Sequence, residues 1–199
     1  MDQPPALSPF TFSPAVASFN VPMKTYLSSP SLQHHQAIAS GALIFSPPST
    51  TSQPPNPNPN PNPKILILQR APTDSYANKW EIPGGGVDLT DSTVLHGVAR
   101  EVLEETGLTV THIKRLVGSE DGLAFVTRRG LRVVKFAFEV EVRGGEEVKL
   151  DEKEHRRFLW ASEEEVRNGR MEDGYEVVFT GEKHRDGILE GFRVRREGA

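Results

Sequence analysis

The sequence predicts an α+β fold. One amphipathic helix occupies the centre of the chain, within residues 84–108, and strand-like segments lie on both sides of it. A second amphipathic segment, at residues 181–193, follows the last strand. Strands before and after a central helix, with a further helix at the end, are typical of an α+β domain.

The first 35 residues are rich in proline and serine and have no sustained hydrophobic period, so they predict an extended arm ahead of a domain at 36–199. Two interpretations remain open: the isolated aromatic residues of the arm pack on the domain, or the arm is a disordered tail. These residues are Phe10, Phe12, Phe19 and Tyr26. The adjacent His34 and His35 have no further ligand at useful spacing and are interpreted as surface histidines.

Residues 37–45 and 64–70 are the first two strand candidates. Between them, at residues 46–63, proline recurs at every second position over part of the segment, which a sheet ladder does not accept. A loop of this length inside a compact domain is functional or disordered. We interpret it as a tolerated hairpin insertion; a ligand for a proline-recognition domain is the alternative.

The central helix is predicted from apolar residues at helical spacing: Val94, Leu95, Val98, Ala99 and Val102. Gly107 then stands where a helix commonly ends in a left-handed cap. Gly97, inside the helix, is unusual, because an interior glycine costs a helix about 1 kcal/mol relative to alanine.

Short strands are predicted at 111–118 and 123–127, and a half-buried antiparallel strand at 131–143, where apolar and mostly charged residues alternate. A further short strand ends at Trp160. Ser162 and Glu165 form a capping box for a short helix that Gly169 closes.

Composition excludes several classes of function. A chain of 199 residues suits one domain with appendages, and a net charge of −4 gives no electrostatic reason for nucleic-acid or membrane binding. The absence of cysteine excludes disulfides and thiol catalysis, and no apolar run approaches the length of a transmembrane helix. We therefore expect an intracellular, cytoplasmic protein without a membrane or specific nucleic-acid partner.

Three acidic residues of the central helix need an explanation. At about 100° per residue, Glu101, Glu104 and Glu105 form one stripe, and Glu105 overlaps the edge of the apolar face. Like charges four residues apart cost a helix about 0.2–0.5 kcal/mol, and partial burial raises that cost. A divalent cation would remove the conflict, and clustered carboxylates with a nearby carbonyl suit Mg²⁺.

A bare pattern of three such acids is most often a solvated helix face. Here three glycines at 84–86, the Arg100–Glu101 pair and the Gly107 stop occur in a fixed frame with the acids. This frame closely resembles the Nudix box. The first box glycine corresponds to Gly86, and the second half of the box is matched by Arg100, Glu101, Val102, Glu104, Glu105, Gly107 and Leu108. The preceding segment of residues 80–85 resembles the entry to the box in many members.

One box position departs from the family, because its leading glutamate falls on Ser92. In the family that glutamate is an auxiliary group that steadies the loop and the box arginine. Asp88 or Asp91 could substitute for it, although neither is in the same frame. The departure affects rate and loop order more than the type of reaction.

The resemblance implies the Nudix fold over about residues 36–193, with a mixed β-sheet between α-helices. It also implies a divalent-metal-dependent hydrolase that cleaves a pyrophosphate linkage in a nucleoside diphosphate linked to another moiety. The implied cofactor is Mg²⁺ or Mn²⁺, which would neutralise phosphate oxygens and lower the pKa of a bound water. The partner is then a small-molecule nucleoside diphosphate derivative, and the chain is a monomer or a homodimer.

Site residues follow from the matched positions. The metal ligands implied are Glu101, Glu104, Glu105 and the carbonyl of Gly85, and Arg100 orients the acids. Substrate contacts are expected from Arg70, Trp80, Gly84, Gly85 and Gly86; for Trp80, packing in the core is an equal alternative.

Members of the family often carry a further glutamate, a metal ligand or base, in a loop that faces the box helix. Glu154 is the best match, Glu152 is second, and a solvated run of charge is the other interpretation. Either Glu101 or Glu154 could be the general base. Arg128, Arg129 and Arg132 could meet phosphates, but a charged hairpin tip is the commoner explanation.

A catalytically weak Nudix module that binds a nucleotide or a protein is the main alternative, suggested by Ser92 and Gly97. Messenger-RNA decapping usually relies on a basic RNA path, which an acidic chain of this size shows poorly. Isoprenoid diphosphate isomerisation would require a cysteine.

Overall fold

The computed structural model describes residues 7–46 and 63–198. It contains eight strands and four α-helices in these ranges. The strands are β1 (Thr11–Phe12), β2 (Ala37–Ile44), β3 (Lys64–Arg70), β4 (Trp80–Glu81), β5 (Val110–Val117), β6 (Leu123–Val126), β7 (Arg132–Val142) and β8 (His155–Ser162). The helices are α1 (Met23–Leu27), α2 (Val94–Thr106), α3 (Glu163–Asn168) and α4 (Glu182–Glu197).

The strands form two sheets. The larger has the order β1-β5-β7-β2, with β6 paired to the free part of β7, and the smaller has the order β4-β3-β8. The larger sheet is mixed, because β2 runs parallel to β7 and β5 runs antiparallel to it. An antiparallel bridge between Phe45 and Ile65 connects the two sheets at the end of β2.

Helices cover both faces of these sheets. Alternate residues of β3 point to opposite sides: Leu66 and Leu68 pack with the apolar face of α2, and Ile65 and Ile67 pack with Ile188 and Phe192 of α4. The α+β fold with mixed strands between helical layers is therefore confirmed, although the strands divide into two sheets.

Helix α2 ends where its sequence predicts, at Gly107 with φ 68°. At its start, the Thr93 side chain accepts a hydrogen bond from the His96 N–H. The capping box of α3 and the left-handed Gly169 are also confirmed. Strand β8 ends two residues later than the predicted Trp160, because Ala161 and Ser162 still pair with β3.

The N-terminal segment is packed and partly helical, which its lack of a hydrophobic period did not predict. A 3₁₀-helix at Pro14–Phe19 precedes α1, and Val16, Phe19 and Met23 are buried in the core. Phe19 stacks on Tyr26 at 4.6 Å between ring centroids. For residues 7–35, the packed interpretation of the arm is the one that the structure supports.

Most of the predicted insertion at 46–63 lies outside the described residues. Its two described ends meet, because the Ser46 N–H donates to the Lys64 carbonyl at 2.7 Å. Within the described ranges, no helix combines the length and the apolar character that crossing a membrane requires.

Candidate active site

The glycine segment before α2 lies against strand β2. The Ser40 N–H donates to the Gly85 carbonyl at 2.7 Å, and the Val87 N–H donates to the Ile38 carbonyl at 2.9 Å. Gly84 has φ 141°, and a Cβ there would lie 2.4 Å from the Ser40 carbonyl oxygen. Only glycine allows this close approach, so Gly84 determines the position of the backbone beside Glu105.

Glu105 is the buried acid of the site. Its side chain accepts a hydrogen bond from the Gly84 N–H at Oε2, at 2.6 Å, and the residue is 4% exposed. Burial raises the pKa of Glu105 well above its usual value; the Gly84 bond opposes this, and the carboxylates of Glu101, Glu81 and Glu154 reinforce it. Glu105 therefore has an oxygen held by the backbone and an unfavourable charge that a cation would stabilise.

Arg100 connects the acids of the helix to the loop before it. Its Nη1 donates to Glu101 at 3.0 Å and to Glu104 at 2.8 Å, while Nη2 donates to the Gly86 carbonyl at 2.8 Å. Burial acts to lower the pKa of Arg100, but these contacts and those with Asp91 outweigh it, so the pKa lies above its ordinary value. The expected orienting contacts of Arg100 are therefore present.

Asp91 is bound to Arg100 through both carboxylate oxygens, each at 3.0 Å. Its Oδ2 also accepts the Asp88 N–H at 2.7 Å, so one side chain contacts both the arginine and the loop. Ser92 is exposed. Asp91 therefore makes the contacts expected of a substitute for the missing box glutamate. Asp88, the other candidate, is exposed and lies 3.8 Å from Arg100.

Gly97 makes room for this arrangement. A Cβ at Gly97 would lie 2.9 Å from Asp91 Oδ2 and 3.1 Å from both methyl groups of Val87. Because Gly97 has no side chain, it leaves the space that the carboxylate of Asp91 occupies beside the helix.

Glu101 lies between Arg100 and the glycine segment. A Cβ at Gly85 would be 2.6 Å from Glu101 Oε2, so the missing side chain leaves space for the carboxylate. Burial raises the pKa of Glu101 to about 7 against the opposing effect of Arg100, with Glu104 and Glu154 adding to the rise. Glu104 is the outer acid, with its side chain 39% exposed.

The loop before β8 places a fourth acid near α2. Its Lys149 and Asp151 N–H groups donate to the Thr106 and Glu105 carbonyls at 2.7 and 3.4 Å, which occupies helix-end acceptors. Glu154 is thereby brought beside Glu105, and ligand atoms of Glu105, Glu154 and His155 all lie within 4.8 Å of one another. Glu152 is exposed, and it is absent from this group.

His155 was missed by sequence reasoning. It is 1% exposed, and within the described residues neither ring nitrogen has a hydrogen-bond partner. Its Nε2 is 4.0 Å from Glu105 Oε1 and 3.9 Å from Glu81 Oε1. The only sequence signal was its position directly after Glu154.

The donor set fits a hard divalent cation. Three carboxylates are available near one another at Glu101, Glu105 and Glu154, and Glu105 retains an oxygen that Gly84 does not use. The Gly85 carbonyl already accepts the Ser40 N–H but has a second lone pair. Oxygen donors of this kind are those that Mg²⁺ and Mn²⁺ take in proteins.

Two expected substrate contacts have other partners. Trp80 is 1% exposed and packs edge-to-face against Tyr175, so the structure supports its core interpretation. Arg70 forms ion pairs with Asp74 and Glu81, so substrate binding by its guanidinium stays a prediction. Arg128 and Arg132 donate to the carbonyls of Ser75 and His34.

Comparisons with known proteins identify the family. The family model of the NUDIX domain matches residues 59–180. A MutT-like protein of Streptomyces ambofaciens is 34% identical over 114 residues, which are 57% of this chain and 64% of that protein. A putative 8-oxo-dGTP diphosphatase 2 of Mycobacterium tuberculosis is 34% identical over 104 residues, covering 51% of this chain and 67% of that protein. The chain thus spans just under two thirds of the Streptomyces relative.

Solved structures agree on the fold. The MutT protein of Methanosarcina mazei Go1 is 28% identical with a TM-score of 0.53, covering 84% of this chain and 98% of that chain. The NUDIX domain of Shewanella oneidensis NrtR, solved with ADP ribose, is 17% identical with a TM-score of 0.57, covering 86% and 97%. The chain belongs to the Nudix family, as its box predicts.

Proposed function

We propose that this protein is a divalent-metal-dependent hydrolase that cleaves a pyrophosphate linkage in a nucleoside diphosphate linked to another moiety. The observation that carries the proposal is the buried Glu105, held by the Gly84 N–H and surrounded by Glu101 and Glu154. Family membership supports it, since the Mycobacterium relative is named a diphosphatase. In the reaction, water adds across the P–O–P linkage, so that one phosphoryl group gains the hydroxyl and the other leaves with the bridging oxygen.

The side chains would divide the work between binding and proton transfer. Bound Mg²⁺ or Mn²⁺ would supply charge neutralisation of the phosphate oxygens and activation of the attacking water. Glu101, Glu104, Glu105, Glu154 and the Gly85 carbonyl are the proposed ligands. Arg100 keeps Glu101 and Glu104 in place through its hydrogen bonds.

Proton transfer is proposed at Glu101 or Glu154. Burial raises the pKa of Glu101 to about 7 in the metal-free protein, whereas a cation bound by the acids would favour the ionised carboxylate and lower that pKa. Glu154 lies beside Glu105 and is exposed to solvent.

A cavity of about 180 Å³ next to the acids is the proposed substrate pocket. Glu81 lines it and is also 3.9 Å from His155, so the cavity and the carboxylate cluster share a wall. Lys135 and Lys183 supply positive charge, and the apolar part of the lining includes Ile82 and Ile188. Cationic groups beside an apolar surface suit a phosphorylated ligand with a ring system.

The second candidate is a catalytically weak module that binds a nucleotide or a protein. The motive is the exposed Ser92 at the position of the first box glutamate. The contacts of Asp91 with Arg100 and Asp88 favour the hydrolase, because they hold the loop and the arginine without that glutamate.

The test is product release from a panel of nucleoside triphosphates, nucleotide sugars and dinucleoside polyphosphates. The metal-free protein is assayed alone and with Mg²⁺ or Mn²⁺. Turnover that requires the metal and yields products of P–O–P cleavage is expected. Nucleotide binding without turnover of any panel member, with either metal, would contradict the hydrolase and favour the binding module.

A further inference from the structure

We propose that His155 is a nitrogen ligand of a divalent ion, which it binds together with Glu105 and Glu154. The proposal rests on the proposed metal dependence but goes beyond it, because the acids of the helix supply only oxygen donors. It also predicts which ion the site prefers.

The ring of His155 is buried and has no hydrogen-bond partner among the described residues. His155 is 1% exposed, and both of its nitrogens lack a hydrogen-bond partner in the part of the chain that the structure describes. A buried polar group without a partner costs about 1–3 kcal/mol, so an uncompensated imidazole here calls for a ligand. Ligand atoms of the exposed Glu154 and the buried Glu105 lie within 4.8 Å of a nitrogen of this ring.

The distance between the donor atoms suits a shared ion. Nε2 of His155 is 4.0 Å from Glu105 Oε1, which is too long for a hydrogen bond. Two ligand bonds of about 2.1 Å to one ion span at most about 4.2 Å, so this separation accommodates an ion between the two atoms. One ligand atom from each of His155, Glu105 and Glu154 lies within 4.8 Å of the other two, so the three residues can contribute to one site.

The two carboxylate oxygens of Glu105 have different neighbours. Oε2 accepts the Gly84 N–H at 2.6 Å, whereas Oε1 is the oxygen that faces His155. The backbone bond therefore fixes the carboxylate so that its remaining oxygen points to the proposed ion. Glu81, the other acid near His155, is already paired with Arg70.

A nitrogen donor changes the preference for the ion. Imidazole suits transition metals, whereas Mg²⁺ prefers oxygen ligands and ideal octahedral geometry. We therefore expect this position to bind Mn²⁺ more tightly than Mg²⁺. Removal of the ring should weaken Mn²⁺ binding more than Mg²⁺ binding.

The experiment is pulsed electron paramagnetic resonance on the full chain with one equivalent of Mn²⁺ and no nucleotide. Protein with natural-abundance histidine is compared with protein whose histidines carry ¹⁵N. A directly bound imidazole gives a nitrogen coupling that changes with the label. Because this readout uses the unmutated protein, it does not depend on how a variant folds.

Two variants assign the signal to one residue. His155→Gln should abolish the nitrogen coupling and weaken Mn²⁺ binding by about tenfold or more. His184→Gln is the matched control, because His184 is partly buried but has Thr180 as its ring partner. It should leave the coupling and the affinity unchanged.

The outcomes separate this proposal from the proposed function. Tight Mn²⁺ binding without any label-sensitive coupling in the unmutated protein would overturn the His155 ligand and leave a carboxylate-bound metal intact. Failure of the protein to bind Mn²⁺ or Mg²⁺ at all would overturn both.

Discussion

Asp91 and Arg100 form a two-pronged ion pair, with Nε to Oδ1 and Nη2 to Oδ2 both at 3.0 Å. Bidentate pairs of this kind are strong and fix the plane of the guanidinium. The fixed guanidinium can then place its remaining N–H groups on Glu101, Glu104 and Gly86. The positions of Glu101 and Glu104 thus depend on Asp91, which directly precedes the exposed Ser92.

Removing the charge of Asp91 should loosen this arrangement. We expect Asp91→Asn to lower kcat by about tenfold or more and the free energy of unfolding by about 1–3 kcal/mol, since a buried charged hydrogen bond is lost. Steady-state kinetics and denaturant unfolding measure the two effects. Asp88→Asn is the matched control, because its side chain is 68% exposed and only 3.8 Å from Arg100. Equal effects of the two substitutions would show that Asp91 has no special role.

Gly97→Ala tests the room that Asp91 needs. Helix propensity alone would stabilise the alanine variant by about 1 kcal/mol. The added Cβ would instead press on Asp91 Oδ2 and Val87, so we expect a loss of both stability and kcat. At Gly187, in α4, a Cβ meets nothing within 4 Å, and Gly187→Ala should stabilise the protein. Thermal unfolding distinguishes them, and a stabilised Gly97→Ala with full activity would contradict the packing described here.

The glycines before the helix should differ in their tolerance of alanine. A Cβ at Gly84 would collide with the Ser40 carbonyl and displace the N–H that binds Glu105, so Gly84→Ala should abolish metal-dependent turnover. Gly86→Ala should be mild, because a Cβ there meets nothing within 4 Å. Metal affinity and turnover of both variants provide the test. A mild Gly84→Ala would mean that the backbone does not hold Glu105.

The stability of the metal-free protein should depend on pH. The pKa of Glu101 is raised from 4.5 to about 7 in the fold, so the folded state binds more protons than the unfolded state within that window. The resulting stabilisation is complete below pH 4.5 and is lost as the pH rises through 7, amounting to about 3 kcal/mol at most. The buried Glu105 contributes in the same direction.

Denaturant unfolding of the metal-free protein between pH 5 and 8 measures this loss. Glu101→Gln should flatten the profile, because the variant has no proton to lose. Added Mn²⁺ should raise stability most at high pH, where the carboxyl groups are ionised. A metal-free protein whose stability rises steadily from pH 5 to 8 would contradict the raised pKa values.

Periodicity and capping predicted the local structure well. The apolar stripe of α2 and Gly107 gave the helix its correct end, and the alternation in residues 131–143 gave β7. These features depend on near neighbours in the chain. The common stripe of Glu101, Glu104 and Glu105 was predicted for the same reason, because residues three and four apart share a helix face.

Long-range contacts explain what the sequence left open. The burial of Trp80 and the packing of residues 7–35 depend on surfaces that are remote in the chain. His155 was missed because its neighbour Glu105 lies fifty positions earlier in the sequence. Similarly, the fit between Gly97 and Asp91 depends on the path of the loop before α2.

The most direct test of metal-dependent hydrolysis at Glu105 is the turnover of Glu105→Gln. Glutamine keeps the size of the side chain and an oxygen that can accept the Gly84 N–H, but it removes the charge. Glu164→Gln, an exposed acid of α3, is the matched control. We expect metal-dependent turnover to fall by at least about 100-fold in Glu105→Gln and to be unchanged in the control, since the proposed metal ligand would be lost. Undiminished metal-dependent turnover in Glu105→Gln would contradict the central role given to this residue.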